Sequence, residues 1–246
     1  MAATLQLSPA SPADDPHHGA IPRRHTDRSR YLRDRPVSPA EREALLAQVR
    51  ERDVDLVLVG ADEPLGRRLQ ELTPRATARI LGTPQLLASR NRWLRLTAAE
   101  AIALRDGSDA SRTAGGIADR DVATRRANDE WLETTRDVHC ATAAAWGLIL
   151  ARGDRRDHRL HLEAGRLWQR VHLEATVRGV AMQPMNHVVE LIDHELATGQ
   201  PPSTREALGL PRDRDGWQLL FPFRLGHSEK PAPPSMRRRL ADVLVT

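Results

Sequence analysis

Arg23, Arg24 and Arg28, with Thr26 between them, fall in the short run Arg-Arg-His-Thr-Asp-Arg near the start of the chain. A guanidinium grips a phosphate through two parallel N–H bonds, and a threonine hydroxyl can donate one more. Near the other end, Arg237, Arg238 and Arg239 repeat the theme. The two clusters could converge on one phosphate-bearing ligand, or each could coat a solvated surface. The sequence leaves both readings open.

The histidines raise a metal question. His187, Glu190 and His194 recur at intervals of three and four, so a helix would carry them on one face. The adjacent His-Glu pair of a zinc protease is missing, and the trio reads as a surface group. His158 and His161 form a lone pair, which supplies too few ligands for a metal. His139 and Cys140 are chain neighbours whose side chains diverge in a helix or strand, so they do not read as nucleophile and base. Cys140 reads as a small core residue. Neither Gly-x-Gly-x-x-Gly nor a P-loop nor Gly-x-Ser-x-Gly occurs, and no pair of carboxylates is placed to act as acid and base. No catalytic side chain and no metal ligand is therefore nominated. A cofactor enzyme needs neither, because the cofactor carries the chemistry.

The chain has 246 residues, enough for one well-cored domain, and a formal charge of +4. Every basic residue but Lys230 is arginine. Acids accompany the arginines in runs such as Asp-Arg-Asp and Arg-Arg-Asp, which argues against a nucleic-acid-binding face. No apolar stretch is long enough for a membrane helix, and the first 22 residues lack the apolar core of an export signal. A single cysteine cannot form an internal disulfide. The expectation is a cytoplasmic protein acting on a small molecule, with neither nucleic acid nor membrane as partner.

The elements that must position the arginines alternate between helix and strand. Residues 1–20 read as a flexible arm, and Ser38-Pro39-Ala40-Glu41 is a capping box that opens a helix to about Arg52. Strands are predicted over 54–59, 145–151 and 217–223, the last with Pro222 at an edge or bulge. Helices are predicted over 64–79 with a break at Pro74, over 97–104, over 163–178 and over 188–196. The polar stretch 105–128 reads as a surface loop or lid, and 152–158 as a charged turn. Residues 21–246 make one α+β domain: a central, mostly antiparallel sheet flanked by helices.

Three segments carry a family resemblance: IPRRHTDRSRYLRDRPVS at 21–38, LEAGRLWQRVHLEATVRGVAMQPMNHVVE at 162–190 and LLFPFRLGHSEKPAPPSMRRRLADVL at 219–244. Together they resemble the flavin-dependent nitroreductase superfamily, in particular its actinobacterial dormancy-associated branch. The resemblance covers most of the chain outside the variable middle. It implies that Arg24, Thr26 and Arg28 hold the phosphate of FMN, joined by Arg237 or Arg238, and that Val180, Ala181 and Met182 pass beside the flavin ring. It further implies hydride transfer from NAD(P)H to a nitroaromatic or quinone-like acceptor by a ping-pong cycle, in a homodimer.

Two departures from the family pattern stand beside these expectations. The Asn-x-Gln-Pro-Trp segment that usually contributes polar flavin contacts is absent. In long members of the branch it belongs to an amino-terminal half, and this chain is expected to be a shortened form beginning after it. A degenerate relative that binds or stores flavin or another ligand without catalysis, in a stress response, is the alternative expectation.

Overall fold

The computed structural model describes residues 15–210, 216–230, 233 and 236–244. Residues 1–14 of the expected arm lie outside that set. Its remaining part forms a short helix, α1 (Pro16–Ala20), capped by the Asp15 carboxylate, and His17 Nε2 meets Glu174 at 2.7 Å.

The capping box forms as written. Ser38 accepts from the Glu41 amide and Glu41 reaches back to the Ser38 amide, opening α2 (Pro39–Leu46). Strand β1 (Val54–Gly60) follows and buries Val54, Leu56 and Leu58 by simple alternation. Helix α3 (Pro64–Leu81) runs unbroken through Pro74, contrary to the expected break. Leu69, Thr73, Ala76, Thr77 and Ile80 are all buried around the proline. Their packing offsets the lost backbone bond.

Strand β4 (Ala145–Arg152) is followed at once by α8 (His158–Arg178), which starts five residues before the expected Glu163. Asp157 supplies the cap by accepting from the Arg159 amide, so the charged turn is also a helix start. Leu160, Ala164, Leu167, Val171 and Ala175 line the buried stripe of α8. Gly179, at φ +70°, ends the helix and feeds β5 (Ala181–Pro184). Helices α9 (His187–Thr198) and α10 (Ser203–Leu208) precede β6 (Trp217–Gly226).

The sheet order is β1-β4-β6-β5, and every neighbouring pair is antiparallel. One face packs on α2 and α8 around Leu45, Ile149, Leu167 and Phe223. The other packs on α3, α9 and α10 around Leu69, Trp146, Leu148 and Val189. The architecture is the expected α+β sandwich of helices about an antiparallel sheet. Pro222 lies in an inner strand, not at an edge. The register slips between Ile149 and Leu150 opposite Leu220, two residues before the proline, which is the bulge that accommodates it.

The stretch 105–128 is not a bare loop. Between α3 and β4 the chain forms α4 (Pro84–Asn91), β2 (Leu94–Arg95), α5 (Ala98–Leu104), β3 (Ser108–Asp109), α6 (Ser111–Ala114) and α7 (Arg120–Thr134). Strands β2 and β3 pair in parallel, and Leu94, Leu96, Ala110, Ala114, Ala123 and Ala127 make a small core of their own. Gly107, at φ +70°, lies against β2 where a Cβ would meet the Trp93 carbonyl at 2.4 Å. Helix α7 passes into a π-helical turn, Thr135–Cys140, that leads into β4.

Candidate functional site: two chain ends, a pocket and a cavity

The arginine segment is tied to the sheet by backbone bonds. The Asp27 amide donates to the Met182 carbonyl at 3.0 Å, and Leu32 and Glu229 exchange bonds with His227 and Arg30. A turn is fixed within it: buried Asp27 accepts from the Ser29 amide and hydroxyl, and Tyr31 Oη donates to the Asp27 carbonyl at 2.8 Å. Residues 24–28 and 180–182, far apart in sequence, are thereby neighbours.

The two basic ends also meet. Arg237 Nη2 donates to the Arg24 carbonyl at 3.1 Å. Arg24 Nη1 donates to His172 Nδ1 at 3.2 Å, and His172 Nε2 donates in turn to the His25 carbonyl at 3.2 Å. Burial, then the Arg24 charge, pushes His172 down to about 4, so it is a neutral prop under the guanidinium. The prop is itself wedged: Trp168 lies 4.8 Å from the His172 ring and 5.0 Å from Phe223. The Arg24 pKa is lowered by burial and by the like charge of Arg237. Among the described residues neither guanidinium is ion-paired with a carboxylate.

A pocket of about 170 Å³ lies beside them, bounded by Arg23, His25, His172, Ala181 and Met182 and also by Asp27, a carboxylate residue. Buried His25 Nε2 has no hydrogen-bond partner there. Val180 and Met182 send their side chains into the core, so the half-buried Ala181 is the more open of the three. Thr26 is half-buried. Arg238 behaves differently from Arg237: its Nη2 pairs with Asp106, which also holds Arg95 at 2.6 Å.

Arg28 faces a second space, a cavity of about 870 Å³. It is reached by solvent yet desolvated enough that its pKa is lowered by burial. Three helices wall this cavity with the same spacing: 86, 89, 90 and 93 from α4 and the residue beyond its end; 127, 130, 131 and 134 from α7; 190, 193, 194 and 197 from α9. His139 from the π-turn and Gln183 from β5 complete the wall near Arg28. The volume falls in the range of roughly 300–1,000 Å³ usual for small-molecule and cofactor pockets.

The His187, Glu190 and His194 trio read as a surface group divides: His187 is 7% exposed and stacks on Trp131 at 5.1 Å, while exposed Glu190 and half-buried His194 line the cavity. Burial raises the Glu190 pKa and lowers Arg90, whose guanidinium sits 4.1 Å above Trp131, to about 10. No group of His, Cys, Asp and Glu suited to a metal ion occurs among the described residues. Cys140 is buried in the core, its thiol pushed up to about 12 by burial. No helix among the described residues is long and apolar enough to cross a membrane.

Sequence reasoning missed Arg224, Gln183, His139, Arg90 and Trp131. A signal existed for the first two, since each is a polar side chain flanked by apolar neighbours in its strand. Arg224 is 0% exposed, and it donates to the Ser29 carbonyl at 2.6 Å and to Gln183 Oε1 at 2.7 Å. Its Cζ lies 3.8 Å above the Tyr31 ring. A buried guanidinium bonded to two segments in this way fixes the arginine segment against β5.

No protein-family model matches the chain, and no curated protein does. Solved structures do. A nitroreductase from Desulfitobacterium hafniense DCB-2 with bound FMN is 14% identical, with a TM-score of 0.57 over 95% of this chain and 99% of that one. The FMN and NADPH-dependent nitroreductase NfnB from Sphigopyxis sp. strain HMH is 19% identical, with a TM-score of 0.57 over 94% and 98%. The FMN-dependent NfnB from Mycobacterium smegmatis, in complex with NADPH, is 16% identical, with a TM-score of 0.57 over 94% and 97%. These likenesses span nearly the whole of each protein, and this chain has the nitroreductase fold.

Proposed function

We propose that this protein is an FMN-dependent oxidoreductase that passes electrons from NAD(P)H to a nitroaromatic or quinone-like acceptor. The carrying observation is the meeting of Arg24 and Arg237, two guanidinium groups from opposite ends of the chain with no carboxylate partner among the described residues, beside a pocket and on a fold whose solved examples include proteins with FMN. The residues fit the cofactor. A dianionic phosphate suits the paired cations, with Thr26 as a further donor. The about 870 Å³ cavity adjoining Arg28 has room for a heterocycle, and His25 Nε2, beside the smaller pocket, has no hydrogen-bond partner among the described residues.

When bound, the flavin would supply hydride acceptance and donation. The chain's own residues bind and orient. Arg24 and Arg237 would hold the phosphate, with His172 bonded to Arg24; Arg28 would border the ring in the larger cavity, and Ala181 lines the smaller pocket beside it. Residues of α4, α7 and α9 wall the cavity, and burial raises the pKa of Glu190 at its edge. A homodimer and membership of the dormancy-associated branch belong to the same proposal and rest on the sequence resemblance.

Purified protein mixed with FMN should retain a flavin absorption band after gel filtration, and NADH or NADPH should bleach it. Flavin in excess that never stays bound would remove this reading.

A further inference from the structure

Arg90, at the end of α4, stands on the wall of the larger cavity with its guanidinium carbon 4.1 Å above the Trp131 ring. Trp131 is itself stacked with buried His187 at 5.1 Å, so the cation rests on a fixed aromatic base. Its backbone is tied too, the Arg90 carbonyl accepting from the Trp93 amide at 3.0 Å. Arg90 is half-buried, and burial lowers its pKa to about 10. No carboxylate among the described residues comes within ion-pair distance, and Glu190 acts on it only from farther off. One nitrogen, Nη1, is closed off inside the wall. No hydrogen bond among the described residues reaches Nε or Nη2, the other edge of the plane. Buried Arg95, Arg155 and Arg224 each fill that edge with oxygen: from Asp106, from Asp193, and from Gln183 with Ser29. Arg90 holds the same edge toward a cavity.

The charges around Arg90 decide what suits it. Asp109, Glu130 and Glu190 have no ion-pair partner among the described residues, and they outnumber the cations Arg28 and Arg90 on the wall. A ligand bearing a full negative charge is therefore repelled. A planar group with oxygens and no net charge meets the guanidinium fork without that cost. We propose that Arg90 is a specificity-determining residue whose Nε–Nη2 edge receives the nitro or carbonyl oxygens of a flat, uncharged acceptor, and that carboxylate analogues are turned away. The acceptor's part as oxidant rests on the flavin reading above; the preference for a neutral oxygen edge does not.

Binding to the oxidised protein without NAD(P)H tests this, because nothing is then reduced. Nitrobenzene, benzoate and isopropylbenzene share nearly one shape and differ in their edge: neutral oxygens, charged oxygens, or none. By equilibrium dialysis against FMN-loaded wild type, nitrobenzene should bind at least about tenfold more tightly than either of the others, the effect of a hydrogen bond to a charged group. In Arg90→Met, which keeps an apolar stem against Trp131, its advantage over isopropylbenzene should vanish. Equal wild-type affinity for those two overturns the contact, as does an advantage that survives in Arg90→Met. Benzoate bound as tightly as nitrobenzene overturns the charge selection. Should Arg90→Met fail to fold, Arg90→Lys keeps the charge and loses the fork; it should lose most of the advantage, and an undiminished one overturns the contact. If the wild-type protein retains no FMN, the flavin reading falls, and the same series on FMN-free protein still decides the part of Arg90.

Discussion

Arg237 Nη2 rests 3.1 Å from the carbonyl of Arg24, a residue 213 positions earlier in the chain. The contact draws two guanidinium groups together, and among the described residues no carboxylate pairs with either. Burial, and then the like charge of Arg237, lowers the Arg24 pKa, a standing demand for an anion.

That demand distinguishes Arg237 from its neighbour. Arg24→Ala or Arg237→Ala should each weaken FMN binding by about 1.5–3 kcal/mol, the range for hydrogen bonds to charged groups. Arg238→Ala should leave FMN affinity within about twofold, because its guanidinium is already paired with Asp106. Equal losses from Arg237→Ala and Arg238→Ala, by titration of flavin fluorescence, would contradict the assignment.

The prop under Arg24 should be visible in the acid stability of the fold. His139, His172 and His187 are neutral when folded, their pKa values lowered chiefly by burial to about 3, about 4 and about 4. In the unfolded chain each takes up a proton near pH 6.5. Between those values the unfolded state binds more protons than the native one, so stability falls as pH falls through about 6.5 toward 4. Each histidine should remove on the order of 2–3 kcal/mol by about pH 4.5. In His172→Gln, which can still accept from Arg24, urea denaturation at neutral and acid pH should show a shallower loss than in wild type. Identical pH dependence in the two proteins would contradict a buried, neutral His172.

Gly147 in β4 lies beneath Phe223, whose ring carbons a Cβ would approach to 2.1 Å. Phe223 also braces Trp168 and, through it, His172. Gly147→Ala should cost about 1–3 kcal/mol by overpacking, measured by chemical denaturation, and should weaken FMN binding as a secondary effect. A variant as stable as wild type would show that the ring moves freely and braces nothing.

What the sequence made legible was local. Ser38 to Glu41 carry their helix start in the side chains themselves, and the α8 stripe through Leu167, Val171 and Ala175 follows helical spacing. The arginine clusters could be read as residue types, but only the chain path decided that Arg237 reaches Arg24 and Arg238 goes to Asp106. The segment 105–128 hid its order because its small core is mostly alanine, which gives little contrast between faces. Pro74 misled because propensity is a weak guide where neighbouring residues are packed. His139 could not be interpreted alone, since its partners Gln183 and Arg224 lie 44 and 85 positions away.

The central claim is that the paired guanidinium groups bind a phosphate, and comparing FMN with riboflavin, which lacks that group, tests it most directly. Wild-type protein should bind FMN at least about tenfold more tightly than riboflavin, and the difference should collapse in Arg24→Ala. Equal affinity for the two flavins in the wild-type protein would contradict the account.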